Sequence, residues 1–134
     1  MILIVDFGSQ TAHLIGRRLR QLGVKTLYVD PSVAVKEAKK QHPTGIILSG
    51  GPASVYEKGA PSVSQTLFTL GLPILGICYG WQLTARLLGG QIRNTTHEYG
   101  LEQLTLRSNH SVFDIPHSTF RVIVSHGDTV TKVP

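Results

Sequence analysis

Residues 73–88 read Pro-Ile-Leu-Gly-Ile-Cys-Tyr-Gly-Trp-Gln-Leu-Thr-Ala-Arg-Leu-Leu: an apolar run, a cysteine flanked by two glycines, then a helical pattern. Pro73–Ile77 has the composition of a strand buried on both faces, and Gly80–Leu88 carries helical spacing. A strand that passes at once into a helix is half of a βαβ unit, and the same alternation runs back to the first residue. Met1–Val5 is wholly apolar; residues 10–22 place Ala12, Ile15, Leu19 and Leu22 at helical spacing, with Gly23 at the helix end. Lys25–Val29 reads as a second strand stopped by Asp30-Pro31, Val33–Lys40 as a short helix, and Gly45–Leu48 as a third strand opening into Ser49-Gly50-Gly51-Pro52. Ser62–Leu70 reads as a further helix. Strands alternating with helices imply right-handed crossovers and a doubly wound α/β sheet. After Gly89-Gly90 the pattern changes: Gln91–Arg93, Gly100–Leu106 and Phe120–Val124 read as strands with no helix between them, which predicts a mixed or antiparallel extension.

The 134 residues suit one domain, and no repeat, low-complexity stretch or linker divides them. With 41% hydrophobic and 16% charged residues the chain can bury a core, which excludes compositional disorder. A doubly wound domain usually closes with a last strand and helix, whereas this sequence stops in Thr131-Lys-Val-Pro134, so a domain lacking both is expected. The single cysteine, Cys78, excludes an internal disulfide and a four-cysteine zinc site and fits a reducing compartment; no metal site is expected. Met1-Ile-Leu-Ile-Val5 lacks a basic leader and is cut off by Asp6, and Gly71–Cys78 falls far short of the roughly 20 residues of a membrane helix. A cytoplasmic protein without membrane contact is the expectation. Thirteen Lys and Arg against eight Asp and Glu give a net charge of +5, but the charges are scattered and no nucleic-acid-binding pattern accompanies them. A solvated or partner-facing basic surface is the better reading than nucleic-acid binding.

Gly76-Ile77-Cys78-Tyr79-Gly80 is the thiol form of a nucleophile elbow. Such a turn forces strained angles on its central residue, and only glycine fits the flanking positions, where side chains would meet strand and helix. The sulfur then lies at a helix N-terminus, whose dipole favours negative charge, and the backbone N–H of Tyr79 can stabilise an oxyanion. A buried structural cysteine is the commoner role for a lone thiol, but both glycines at a strand-to-helix junction outweigh it. Ser49-Gly50-Gly51-Pro52 also follows a strand, and ligands of open α/β sheets bind at the strands' carboxyl ends, so this loop and the elbow can face one pocket. Its unobstructed amides suit an oxyanion hole. A pyrophosphate-binding loop of the S-G-G-x-D-S type is excluded, because Ala53 stands where the Asp belongs and Pro52 removes an amide. No Walker or dinucleotide-binding pattern appears.

Together with these, Asp6-Phe7-Gly8-Ser9-Gln10, Ser54-Val55-Tyr56-Glu57, Gly59-Ala60-Pro61, Gln82, Glu98-Tyr99-Gly100 and Ser125-His126-Gly127-Asp128 resemble class I glutamine amidotransferases over essentially all 134 residues. Gly-Ile-Cys-x-Gly-x-Gln is shared across that family; Asp6–Gln10, Ser54–Pro61 and Ser125–Asp128 resemble its GMP synthase branch. The resemblance implies a flavodoxin-like domain with a doubly wound mixed sheet, which hydrolyses glutamine and hands ammonia to a synthetase module that converts XMP to GMP. It implies that Cys78 attacks the side-chain amide to give a γ-glutamyl thioester and that the amides of Gly51 and Tyr79 hold the oxyanion. It further implies that Gln82 helps bind glutamine, as does a loop matching Ser125, Gly127 and Asp128. No cofactor is implied for this domain; ATP and Mg would belong to an ATP-pyrophosphatase domain, which the sequence does not contain.

The family draws its general base from a His-Pro-Glu motif beyond the Ser-His-Gly-Asp stretch, and the sequence stops before that point. His42-Pro43 mimics the motif only superficially, since Thr44 follows and Cys78 lies downstream; His13 belongs to the first helix, and His97, His110 and His117 are assigned to loops. His126 alone falls near the pocket by analogy, with a part in loop architecture rather than proton transfer. General base catalysis contributes about 10²–10⁴-fold, so the chain is expected to bind glutamine weakly or not at all and to be inactive as a glutaminase. Two alternatives stand beside this one: a non-catalytic remnant that docks on a synthetase partner, and an amidotransferase subunit of another pathway, such as that of anthranilate or aminodeoxychorismate synthesis.

Overall fold

A computed structural model of the chain describes residues 1–106 and 119–134, with only the backbone path for residues 94–99. Four short strands form one parallel sheet in the order β2-β1-β3-β4: β1 (Ile2–Val5), β2 (Thr26–Val29), β3 (Gly45–Leu48) and β4 (Ile74–Gly76). The register is continuous, with Val5 beside both Val29 and Leu48, and Leu48 beside Gly76, so the loops after β3 and β4 leave the sheet side by side.

The strands are apolar throughout because both faces are covered. On one face Leu3, Val5, Ile46 and Leu48 join Ala34 and Ala38 of α2 (Ala34–Gln41) and Tyr79 and Leu83 of α3 (Tyr79–Leu87) in one core. On the other face Ile4 meets α1 (Gln10–Gln21), which approaches so closely that a Cβ on Gly16 would lie 3.1 Å from Ile4 Cδ1 and 2.6 Å from the Tyr28 ring. Helices on both faces of a parallel sheet are the doubly wound α/β arrangement the alternation implied. Ser9 caps α1 by accepting the Thr11 amide at 3.1 Å, and Gly23, at φ 77°, turns the chain out of the helix towards β2.

Three elements differ from the sequence reading. The helix expected over Ser62–Leu70 is a 3₁₀ segment, Gln65–Thr69, capped by Ser64. Gly71, at φ 71°, then turns the chain towards β4. The separate strands expected at Gln91–Arg93 and Gly100–Leu106 are one, β5 (Gln91–Thr105), paired antiparallel with β6 (Thr119–Lys132) in a sheet of its own. A register shift between Asn94 and Glu98 carries β5 through what read as a loop, so His97 lies within the strand path. Ser125–Asp128, assigned to a loop, likewise lies inside β6. His110 and His117 fall outside the described residues. The β5–β6 ribbon is anchored where Ile92, paired with Val130, enters the core, and where Gly90 N–H donates to the Ala85 carbonyl at 2.7 Å. Among the described residues no helix is long and apolar enough to cross a membrane.

Candidate active site

Cys78 sits between β4 and α3 at φ 49° and ψ −110°, a conformation that L residues rarely adopt, and it is exposed. The surroundings hold it there. Ile77 N–H donates to the Leu48 carbonyl and Gln82 N–H to the Cys78 carbonyl, both at 3.0 Å. The flanking glycines are required by close approach: a Cβ on Gly80 would lie 2.6 Å from Leu48 Cβ, and one on Gly76 would lie 2.8 Å from the Trp81 backbone. The strand therefore runs into the helix without side chains at the crossing, and the sulfur is presented at the carboxyl edge of the sheet. Tyr79 opens α3, and amides in a helix's first turn have no intrahelical acceptor, so its N–H is placed to serve a ligand beside the sulfur.

The Ser49–Pro52 loop lies against this elbow. Gly80 N–H donates to the Ser49 carbonyl at 3.0 Å, and a Cβ on Gly50 would stand 3.7 Å from Cys78 Cβ. Ser49 is wholly buried; its Oγ accepts the Phe7 amide at 3.0 Å and donates to the Gly50 carbonyl at 2.9 Å, which fixes the loop's departure from β3. Gly51 is packed so tightly that a Cβ would fall 2.7 Å from the Phe7 carbonyl oxygen.

β6 closes the third side. Gly51, Ser54, Cys78, Gln82, Ser125, His126, Gly127 and Asp128 line one cavity of about 290 Å³. Residues from three separated parts of the sequence thus meet at the sheet's carboxyl edge; only Tyr79, whose contribution would be its backbone, sends its side chain elsewhere. That ring is buried beside Phe7, centroids 5.1 Å apart, and its hydroxyl donates to the Pro61 carbonyl. Burial raises the Tyr79 phenol above its ordinary pKa, with Arg86 opposing and Glu57 reinforcing the shift. Gln82 is also buried, and its Nε2 donates to the Asp128 main-chain carbonyl at 2.7 Å. Asp128 in turn accepts the Ser54 hydroxyl on Oδ2 at 2.6 Å. His126 pairs through Nδ1 with Thr129 Oγ1 at 3.5 Å. His42 stands just ahead of β3, at the opposite end of the sheet from Cys78, and His13 packs at a tilt against Tyr28.

Ser54 enters the sequence reading only as part of a family-like stretch. Its contact with Asp128 spans 74 positions, and no local pattern announces it.

The model of the class-I glutamine amidotransferase family matches residues 3–134. The glutamine-hydrolyzing GMP synthase of Borrelia garinii subsp. bavariensis is 45% identical over 136 residues, covering 99% of this chain and 26% of that protein. The enzyme of the same name from Staphylococcus epidermidis is 45% identical over 135 residues, covering all of this chain and again 26% of that protein. The chain therefore spans about a quarter of the length of these curated relatives. Among solved structures, a candidate GMP synthase subunit of Thermoplasma acidophilum superposes with a TM-score of 0.82 at 29% identity, covering 99% of this chain and 67% of that one. A glutamine amidotransferase of Thermotoga maritima shares the fold, with a TM-score of 0.69 at 20% identity over 98% of this chain and 62% of that one. The chain belongs to the class-I glutamine amidotransferases.

Proposed function

We propose that this chain is the glutaminase part of a GMP synthase. The observation that carries the reading is the exposed, strained Cys78 facing Gly51 and the Ser125–Asp128 segment across one cavity. The 45% identity to glutamine-hydrolyzing GMP synthases supports the branch. In this reading the Cys78 sulfur attacks the side-chain amide carbon of glutamine, and the carbonyl oxygen becomes anionic between the N–H groups of Gly51 and Tyr79. The tetrahedral adduct then expels ammonia and leaves a γ-glutamyl thioester, which water hydrolyses to glutamate. Gln82, Ser125, Gly127 and Asp128 form the wall that binds the amino-acid end of the substrate. Ammonia passes to an ATP-pyrophosphatase domain or subunit, where ATP and Mg would act on XMP; the glutaminase part itself uses no cofactor.

Ammonia leaves only after gaining a proton. By resemblance, the imidazole that carries it belongs to a His-Pro-Glu triplet, which these 134 residues do not contain. The chain by itself is therefore proposed to bind glutamine weakly and to turn it over poorly.

Alkylation of Cys78 by a glutamine-like chloroketone, followed by mass spectrometry, tests the reading. Cys78 is expected to be labelled, with glutamine protecting it and asparagine and glutamate failing to protect. Labelling no faster than by a chloroketone without the amino-acid end, and untouched by glutamine, would overturn it. Gel filtration with an ATP-pyrophosphatase domain tests the partner, with co-elution expected.

A further inference from the structure

The Ser54–Glu57 stretch leaves the oxyanion loop three residues after Gly51 and runs towards the ribbon. Its first residue is held in a defined hydrogen-bonding state. Tyr56 N–H donates to Ser54 Oγ at 3.2 Å, so the hydroxyl's own proton goes to its other partner, Asp128 Oδ2, at 2.6 Å. A hydroxyl hydrogen bond to a carboxylate at that distance is charge-assisted and directional.

Two further contacts bind the same pieces. Tyr56 OH donates to the Ile92 carbonyl on β5 at 2.9 Å, under an Arg86 guanidinium 5.2 Å from the ring centroid. Gln82 holds the Asp128 main chain from the α3 side at 2.7 Å. Asp128 is 6% exposed, yet it lines the cavity that contains Cys78. Its main-chain carbonyl is held by Gln82 and its Oδ2 by Ser54.

We infer that Ser54 is a positioning residue: its hydroxyl sets the orientation of the Asp128 carboxylate in the cavity wall and ties the oxyanion loop to β6. The inference rests on the proposed glutamine site. A carboxylate held in one orientation meets a ligand's cationic group without first losing rotamer freedom, so the bond supports affinity and leaves the sulfur's reactivity alone.

The test follows chloroketone labelling of Cys78 over a range of reagent concentrations in the full 134-residue chain. In Ser54→Ala the half-saturating concentration is expected to rise about threefold to tenfold, the size of the cost of ordering one side chain on binding. The limiting rate, and the rate with iodoacetamide, which carries no amino-acid end, should stay within about twofold of wild type. Ser54→Thr, which keeps the hydroxyl, should restore saturation. Because Ser54 acts through Asp128, Ser54→Ala in an Asp128→Ala background should add nothing. An unchanged half-saturating concentration in Ser54→Ala, additive effects in the double variant, or loss of folded circular dichroism in both Ser54 variants would overturn the inference. Wild-type labelling that never saturates would remove the glutamine site itself, and the inference with it, which separates the two failures.

Discussion

Gln82 reaches across from the first turns of α3 to hold the main-chain carbonyl of Asp128, donating from Nε2 at 2.7 Å with both groups buried. The helix that follows Cys78 thereby fixes the strand forming the far wall of the cavity. Gln82→Leu keeps the volume and leaves that carbonyl without its donor. A buried acceptor stripped of its partner costs about 1–3 kcal/mol. Urea unfolding is expected to show a loss of that size, with weaker chloroketone saturation as β6 shifts. Unchanged stability would mean that β6 is held by other contacts.

The strain at Cys78 has its own signature. A non-glycine residue in an unfavourable backbone region costs on the order of 1–3 kcal/mol, and glycine escapes most of that cost. Cys78→Gly and Cys78→Ala both remove the sulfur, but only the first relieves φ 49°. Cys78→Gly is expected to be more stable than Cys78→Ala by about 1 kcal/mol in paired denaturation curves. Equal stabilities would show that the turn is relaxed.

The glycines should divide sharply. Gly80→Ala drives a methyl group into Leu48, 2.6 Å from its Cβ, where both partners are enclosed, and overpacking of this kind costs about 1–3 kcal/mol or more. Gly50→Ala meets its nearest atoms at 3.6–3.8 Å, ordinary contact distance, and should change stability little. Thermal melts of the two variants check the contrast, and equal losses would contradict the packing at the elbow.

These contrasts mark what was legible in advance. The parallel sheet showed in the sequence because strands buried on both faces must be apolar at every position, as Ile2–Val5 and Gly45–Leu48 are. The elbow showed because its steric demands fall on Gly76 and Gly80, each two positions from Cys78. The partners of Asp128 did not show. Ser54 and Gln82 lie 74 and 46 positions away, and contacts of that span leave no periodicity. Nor did the strand character of Ser125–Asp128, because a register shift in β5 supplies the pairing for a segment whose Ser-His-Gly-Asp composition reads as a turn.

Tyr79 gives the fold a pH signature of its own. Burial raises its pKa above the ordinary 10.0, so the folded chain keeps the phenolic proton after the unfolded chain has begun to lose it. Above pH 10 the unfolded state therefore binds fewer protons than the folded one, and stability falls as pH rises, whereas below pH 10 this residue contributes no slope. Deprotonation would also abolish the bond to the Pro61 carbonyl. Tyr79→Phe should flatten the alkaline fall in denaturation midpoints and cost about 1 kcal/mol at neutral pH. A wild-type chain with constant stability past pH 10 would contradict the burial of this ring.

Turnover by the 134 residues alone is the last quantity the site constrains. In the proposed mechanism Cys78 must give up its thiol proton before attack and the departing ammonia must gain one, so both steps call on a proton carrier. Among the described residues the one histidine lining the Cys78 cavity is His126, whose Nδ1 faces Thr129 Oγ1. Loss of general acid–base assistance costs about 10²–10⁴-fold, so glutamate release should fall at least about 100-fold below that of an intact GMP synthase relative under the same conditions. His126→Gln keeps a partner for Thr129 and removes the imidazole; because His126 is not assigned the proton transfer, the residual rate should stay within about twofold. A collapse of the residual rate in His126→Gln, with chloroketone labelling intact, would identify His126 as the proton carrier and reverse this expectation.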